Sequence, residues 1–266
     1  MVVHYQPIVD IDTGIAVRVE SFCRVPPSHV QLGTPTAFLA SVERSGRIRD
    51  FTHWMLQTVL VDRRGGEYAL PISINLAFAN LFESDLVKRV RALLEQFDVD
   101  PSDLTFELTD GIQQIQDGYG LETMRHLAID GVRFAIDGFA SNLGNIADLQ
   151  VLRLPVQELK VDARLIEHDG FSQSSGTVRL KRFVAEQGLT LVAKCVETEQ
   201  QLKAARDLGC RLAQGFLFSE PLAATEFGQW LITNAGGEVG AAVAESAGPP
   251  ASETPERTAA TTAALA

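Results

Sequence analysis

Short apolar runs alternate with helical patterns along the chain. The runs are Val2–Ile8, Ala16–Val19, Ile72–Ile74, Leu104–Leu108, Val132–Ile136, Leu159–Val161 and Thr190–Ala193. Most are rich in β-branched residues and short enough to be strands covered on both faces. Between them, Leu86, Val87, Val90, Leu93, Leu94 and Phe97 recur at helical spacing and form one apolar stripe. Thr198 followed by Gln201 reads as a capping box; Leu202, Ala205 and Leu208 then share a face, and Gly209 stands where a helix C-cap belongs. Repeated strand–helix units of this length predict a parallel sheet, doubly wound or closed as a barrel. The start differs: Asp10-Ile-Asp-Thr-Gly14 is a turn between two strand-like runs, which predicts an opening hairpin. The expected fold is therefore α/β, a modified TIM-like (β/α) barrel with an irregular, partly antiparallel start.

Composition bounds this picture. The chain has 266 residues, 45% hydrophobic and 21% charged, enough to bury one barrel-sized core. From residue 235 to 266 alanine, glycine, proline, serine and threonine dominate and no aromatic residue occurs, so residues 1–234 are read as the folded domain and 235–266 as a disordered Ala-rich tail. The net charge of −11 repels phosphate backbones and argues against a DNA or RNA polymer as partner. No apolar run approaches the roughly 18 residues of a membrane span, and the N-terminus shows no signal peptide. The expected location is cytoplasmic, without a membrane partner. Cys23, Cys195 and Cys210 are odd in number and lack a CxxC spacing, which suggests reduced core thiols rather than disulfides or zinc.

The ends of the strands carry the candidate chemistry. Glu20, Asn75, Glu107, Asp137, Lys160 with Asp162, Lys194 and Gln214 each follow or close an apolar run, and Asp110 lies three residues beyond Glu107. A single acidic residue after a strand is usually a helix cap or turn former. Together these residues mean more, because a parallel barrel brings its strand ends to one rim, where such folds place their sites. Carboxylate and amide oxygens converging there suit Mg²⁺ or Mn²⁺.

The order of short motifs resembles the EAL-type cyclic-di-GMP phosphodiesterase domains over about residues 3 to 225. Tyr5-Gln-Pro-Ile-Val-Asp10 with Thr13-Gly14 is similar to the family's first strand and turn. Glu20-Ser-Phe-Cys-Arg24 stands where the family has Glu-Ala-Leu-x-Arg. Ile74-Asn-Leu, Phe106-Glu-Leu-Thr-Asp110, Leu159-Lys-Val-Asp162, Val196-Glu-Thr198, Leu208-Gly-Cys210 and Gln214-Gly-Phe216 follow in family order. The resemblance implies two-metal hydrolysis of cyclic-di-GMP to linear pGpG. It assigns Glu20, Asn75, Glu107 and Asp137 to the first metal and Lys160 to the neighbourhood of the attacking water. Gln214 matches the glutamine of the last motif, Arg24 the arginine on a ligand phosphate, and Gln6 a contact to guanine.

The departures from that pattern shape the functional expectation. Where the family has two consecutive aspartates, this chain has Asp137-Gly138. Ala-Glu-Gly-Val-Glu-Thr of the family reads Ala193-Lys-Cys-Val-Glu-Thr198, so a second-metal ligand and proposed general base is Lys194. The loop Phe139–Asn145, linked in the family to dimerisation and activity, is altered, as are Ser21 and Phe22. Glu20, Glu107 and Asp137 against Lys160 and Lys194 leave the rim at −1 without metal, +1 with one divalent ion and +3 with two. A strongly unbalanced buried charge costs several kcal/mol, so no ion or one ion is expected. A protonated lysine accepts no proton from water. The expectation is a degenerate domain, catalytically impaired, that binds cyclic-di-GMP or regulates. The alternatives are a nucleotide-independent protein-interaction module and a phosphodiesterase still active with one metal. A protein partner and a homodimer stay open on this reading.

Overall fold

The computed structural model describes residues 1–26, 35–108, 118–138, 154–166 and 175–234. Asp110, the loop Phe139–Asn145 and the tail 235–266 lie outside the described residues. Among the described residues nine strands form one sheet: β1 (Val2–Asp10), β2 (Ala16–Arg24), β3 (Ile72–Leu76), β4 (Leu104–Leu108), β5 (Arg133–Ile136), β6 (Glu158–Asp162), β7 (Thr190–Lys194), β8 (Leu212–Ala213) and β9 (Leu222–Ala223). Their order is β2-β3-β4-β5-β6-β7-β8-β1-β9, and β1 also pairs with β2, which closes the barrel. From β2 to β8 neighbours are parallel. β1 is antiparallel to β2, β8 and β9. The expected α/β barrel with an irregular start is what the chain forms. The hairpin turn is fixed by Asp10, whose Oδ1 accepts from the backbone N–H groups of Asp12 and Thr13 and from the Thr13 hydroxyl.

Two strands run further than their apolar patterns suggest. β2 continues through Glu20 to Arg24, and β6 begins at Glu158. The physical reason is that their polar residues point into the barrel. Arg18 of β2 bonds Glu158 of β6, and Glu20 of β2 bonds Lys160 of β6. The strands β3, β4 and β5 lie between β2 and β6 in the sheet, so the contacts cross the interior. The alternate positions Val19, Ile72, Ile74, Phe106, Phe134, Leu159 and Val161 are buried in the hydrophobic core with the surrounding helices. This is the inverse of a soluble sheet with one wet face: here the polar set is inside and must be paired to be tolerated.

The helices match their sequence signatures. Leu86–Phe97 buries Leu86, Val90, Leu93 and Leu94. Glu199–Leu208 starts in the capping box of Thr198 and Gln201 and ends on Gly209 at φ +93°, left-handed backbone that favours glycine. No helix among the described residues is long and apolar enough to cross a membrane.

Candidate ligand and metal site at the strand ends

Lys160 is the hub of the rim. Its side chain is 2% exposed, and its Nζ donates to Glu20 Oε2 at 2.5 Å and to Glu107 Oε2 at 2.6 Å. Asn75 Nδ2 donates to the other oxygen of Glu20 at 2.9 Å. β2, β3, β4 and β6 thus converge these four side chains as expected for a barrel rim. Burial works against the Lys160 charge, but Glu107, Glu20 and Asp137 outweigh it and hold its pKa above the usual lysine range. Burial, and then the nearby Glu20 charge, push the Glu107 carboxyl up to about 7. Glu107 Oε1 is buried and has no hydrogen-bond partner among the described residues.

The other side of the rim is built differently. Lys194, closing β7, places its Nζ 2.6 Å from Asp137 Oδ1, and the same oxygen accepts from the Gly138 N–H at 2.7 Å. Asp137 is therefore turned to Lys194, while Glu20 and Glu107 are bonded to Lys160. Among the described residues no group of three acidic, histidine or cysteine side chains converges as a metal cage. The donor chemistry nonetheless suits one hard cation: two carboxylates, an amide, and in Glu107 Oε1 a buried acceptor lacking a donor. It does not suit a second ion beside Asp137, because an ammonium already stands there.

The backbone explains how Lys194 is held. Cys195 follows it at φ +58°, left-handed backbone that a side chain adopts only with strain. Val196 N–H then donates to Gln214 O, and Leu217 N–H to Val196 O. A Cβ on Gly215 would lie 2.1 Å from Val196 O, so the Gln-Gly-Phe motif needs glycine for this close approach. Gln214 Nε2 donates to Gln6 Oε1 at 3.1 Å, and Gln6 Nε2 donates to Ser219 O at 2.9 Å. Both glutamines are buried and bonded to each other. Arg24 is half-buried, with its guanidinium 5.1 Å from the Phe22 ring centroid and no ion pair among the described residues. Burial lowers its pKa. Asp162, singled out with Lys160, instead bonds Arg164 through its side chain and backbone N–H at the start of Ala163–Ile166, a local structural role.

Reading polar strand ends misses Arg18 and Glu158, which form a buried ion pair one layer below the rim. The signal was present: both stand two residues before a singled-out site residue, on the same strand face.

Comparison with known proteins places the chain. Residues 1–221 match the family model described as the EAL domain. This chain belongs to the EAL domain family. It is 32% identical over 235 residues to MucR of Pseudomonas aeruginosa, a bifunctional diguanylate cyclase/cyclic di-GMP phosphodiesterase, covering 85% of this chain and 34% of MucR. The chain thus spans about a third of the length of that curated relative. A solved MucR phosphodiesterase structure in complex with cyclic-di-GMP superposes with a TM-score of 0.73 at 29% identity, covering 85% of this chain and 98% of the other. BlrP1 of Klebsiella pneumoniae, solved with manganese and cyclic-di-GMP, shares the fold with a TM-score of 0.70 at 24% identity, over 84% of this chain and 56% of BlrP1.

Proposed function

We propose that this EAL domain is a catalytically impaired cyclic-di-GMP-binding module, with one divalent ion at most. The observation that carries this reading is the Lys194–Asp137 ion pair, 2.6 Å long. The Lys194 ammonium supplies positive charge beside Asp137 without a metal, and a protonated amine has no lone pair left to accept a proton. It therefore cannot act as the base that draws a proton from water. Gly138 contributes no carboxylate in the adjacent position. Glu20, Glu107 and Asn75 would hold the one ion, which would polarise a phosphate oxygen. Arg24 would pair with a ligand phosphate, and Gln6 and Gln214 would bound the base. One ion and one phosphate bring the rim to neutrality, which suits binding.

A second reading is a slow phosphodiesterase using one ion. It is favoured by the intact Glu20–Lys160–Glu107 cluster and the unpartnered Glu107 Oε1. A single experiment separates the two. Tag-free protein is titrated with cyclic-di-GMP with and without Mg²⁺ or Mn²⁺, and the mixtures are analysed for pGpG. Binding with negligible pGpG is expected. Robust pGpG production that Glu20→Ala abolishes would overturn the proposal in favour of the second reading, and absence of binding under all conditions would overturn both.

A further inference from the structure

Below the rim the barrel holds a second layer of charge. Arg18 and Glu20 are two apart on β2, and Glu158 and Lys160 are two apart on β6. Signs alternate along each strand, so two ion pairs of opposite direction span the interior: Arg18 to Glu158 below, Lys160 to Glu20 above. Arg18 grips Glu158 with both terminal nitrogens, one of them at 2.7 Å, and also donates to Thr105 Oγ1 at 3.2 Å. The side chains of Arg18 and Glu158 are each 5% exposed. Arg18 Nε is buried without a partner among the described residues. Arg18 also lies within electrostatic reach of Glu107 and Glu20. A buried ion pair is seldom worth more to stability than apolar packing, so its placement directly beneath two candidate metal ligands calls for another explanation.

We propose that Glu158 is a positioning residue: it holds Arg18 down and so keeps Glu20 and Glu107 available to Lys160 and to a divalent ion. This rests on the reading that those two carboxylates hold the ion. Without Glu158, the carboxylates whose charge still acts on the Arg18 guanidinium are Glu107 and Glu20. A fixed cation would then compete for the oxygens that a divalent ion needs.

The test reads signs. Mn²⁺ affinity of the full chain is measured by calorimetry, and folding is checked by near-ultraviolet circular dichroism. Glu158→Gln should weaken Mn²⁺ binding by about tenfold or more. Arg18→Met should tighten it severalfold, because a cation within reach of Glu20 and Glu107 leaves. Arg18→Met with Glu158→Gln should return to within about threefold of the unaltered chain. A merely structural pair predicts that both single variants lose affinity together or leave it unchanged, and either result overturns the inference. Should Glu158→Gln not fold, the sign of the Arg18→Met effect decides. Should the unaltered chain bind no Mn²⁺, the metal reading of the rim falls. A crystal structure of Glu158→Gln then decides this inference: Arg18 hydrogen-bonded to Glu20 or Glu107 supports it, and Arg18 still on Thr105 and the introduced glutamine refutes it.

Discussion

Two lysines stand at the strand ends, and they are held in different ways. Lys160 is sealed inside the barrel between Glu20 and Glu107. Lys194 has one carboxylate partner among the described residues and a side chain 24% exposed, and it stands beside Cys195 and across from Gly138. The difference follows from dielectric. In the dry half, two carboxylates need a counter-charge, and any loss leaves a buried charge uncompensated. In the wetter half, solvent screens what a substitution leaves behind. The second half is where a charged residue can be exchanged while the barrel keeps its stability.

That comparison breaks most visibly at Lys160. Replacing it with methionine leaves Glu20 and Glu107 facing each other without their shared cation. The metal-free variant should lose about 3–5 kcal/mol of stability, the range for breaking one partner out of a buried pair. Saturating Mn²⁺ should restore much of the loss, because an ion supplies the missing charge. Chemical denaturation with and without Mn²⁺ checks both parts. A loss under about 1 kcal/mol would mean the inner half is wetter than its burial indicates.

The barrel was legible because its outward strand positions are apolar and its helices carry caps and stripes. Thr198, Gln201 and Gly209 act locally, so their signals survive without knowledge of the rest of the chain. The extent of β2 and β6 was not legible, since Arg18, Glu20, Glu158 and Lys160 break the apolar runs, and only closure of the barrel gives them partners. At the rim, the residue types at the strand ends pointed to Glu20, Asn75, Glu107 and Lys160, which the fold does bring together. Their division into two halves was not readable. It depends on which lysine reaches which carboxylate, and two residues of similar spacing at strand ends look alike in sequence. The mutual bond between Gln6 and Gln214 likewise needs the antiparallel return of β1 beside β8.

Lys194→Ala sharpens the same contrast with a smaller effect. The pair is partly solvated, so its removal should change stability by less than about 1 kcal/mol. Its effect on metal should be larger than its effect on folding: Asp137 is freed and a repelling charge is lost, so Mn²⁺ affinity should rise by about tenfold. Calorimetric titration of both proteins under identical salt measures this. Unchanged affinity would show that Lys194 does not compete with a divalent ion.

The finest test concerns two backbone positions on either side of the Lys194–Asp137 pair. Cys195 sits at φ +58° with a side chain, and Gly138 sits at φ +73° without one. At Cys195 the left-handed backbone costs about 1–2 kcal/mol, and glycine would remove that cost while giving back about 0.5–1 kcal/mol through a freer unfolded chain. Cys195→Gly should therefore stabilise by about 0.5–1 kcal/mol. Gly138→Asp runs in the opposite direction. Among the described residues an added Cβ there meets nothing within 4 Å, so the positive φ is the cost that counts. Because aspartate tolerates this region better than most residues, the cost should stay below about 1 kcal/mol. The new carboxylate would also enter a neighbourhood where Lys194 is charged, so Gly138→Asp alone should not recruit a second Mn²⁺. Adding Lys194→Glu should. Manganese stoichiometry of the single and double variants decides it: two ions bound by Gly138→Asp alone would show that Lys194 leaves the second site open.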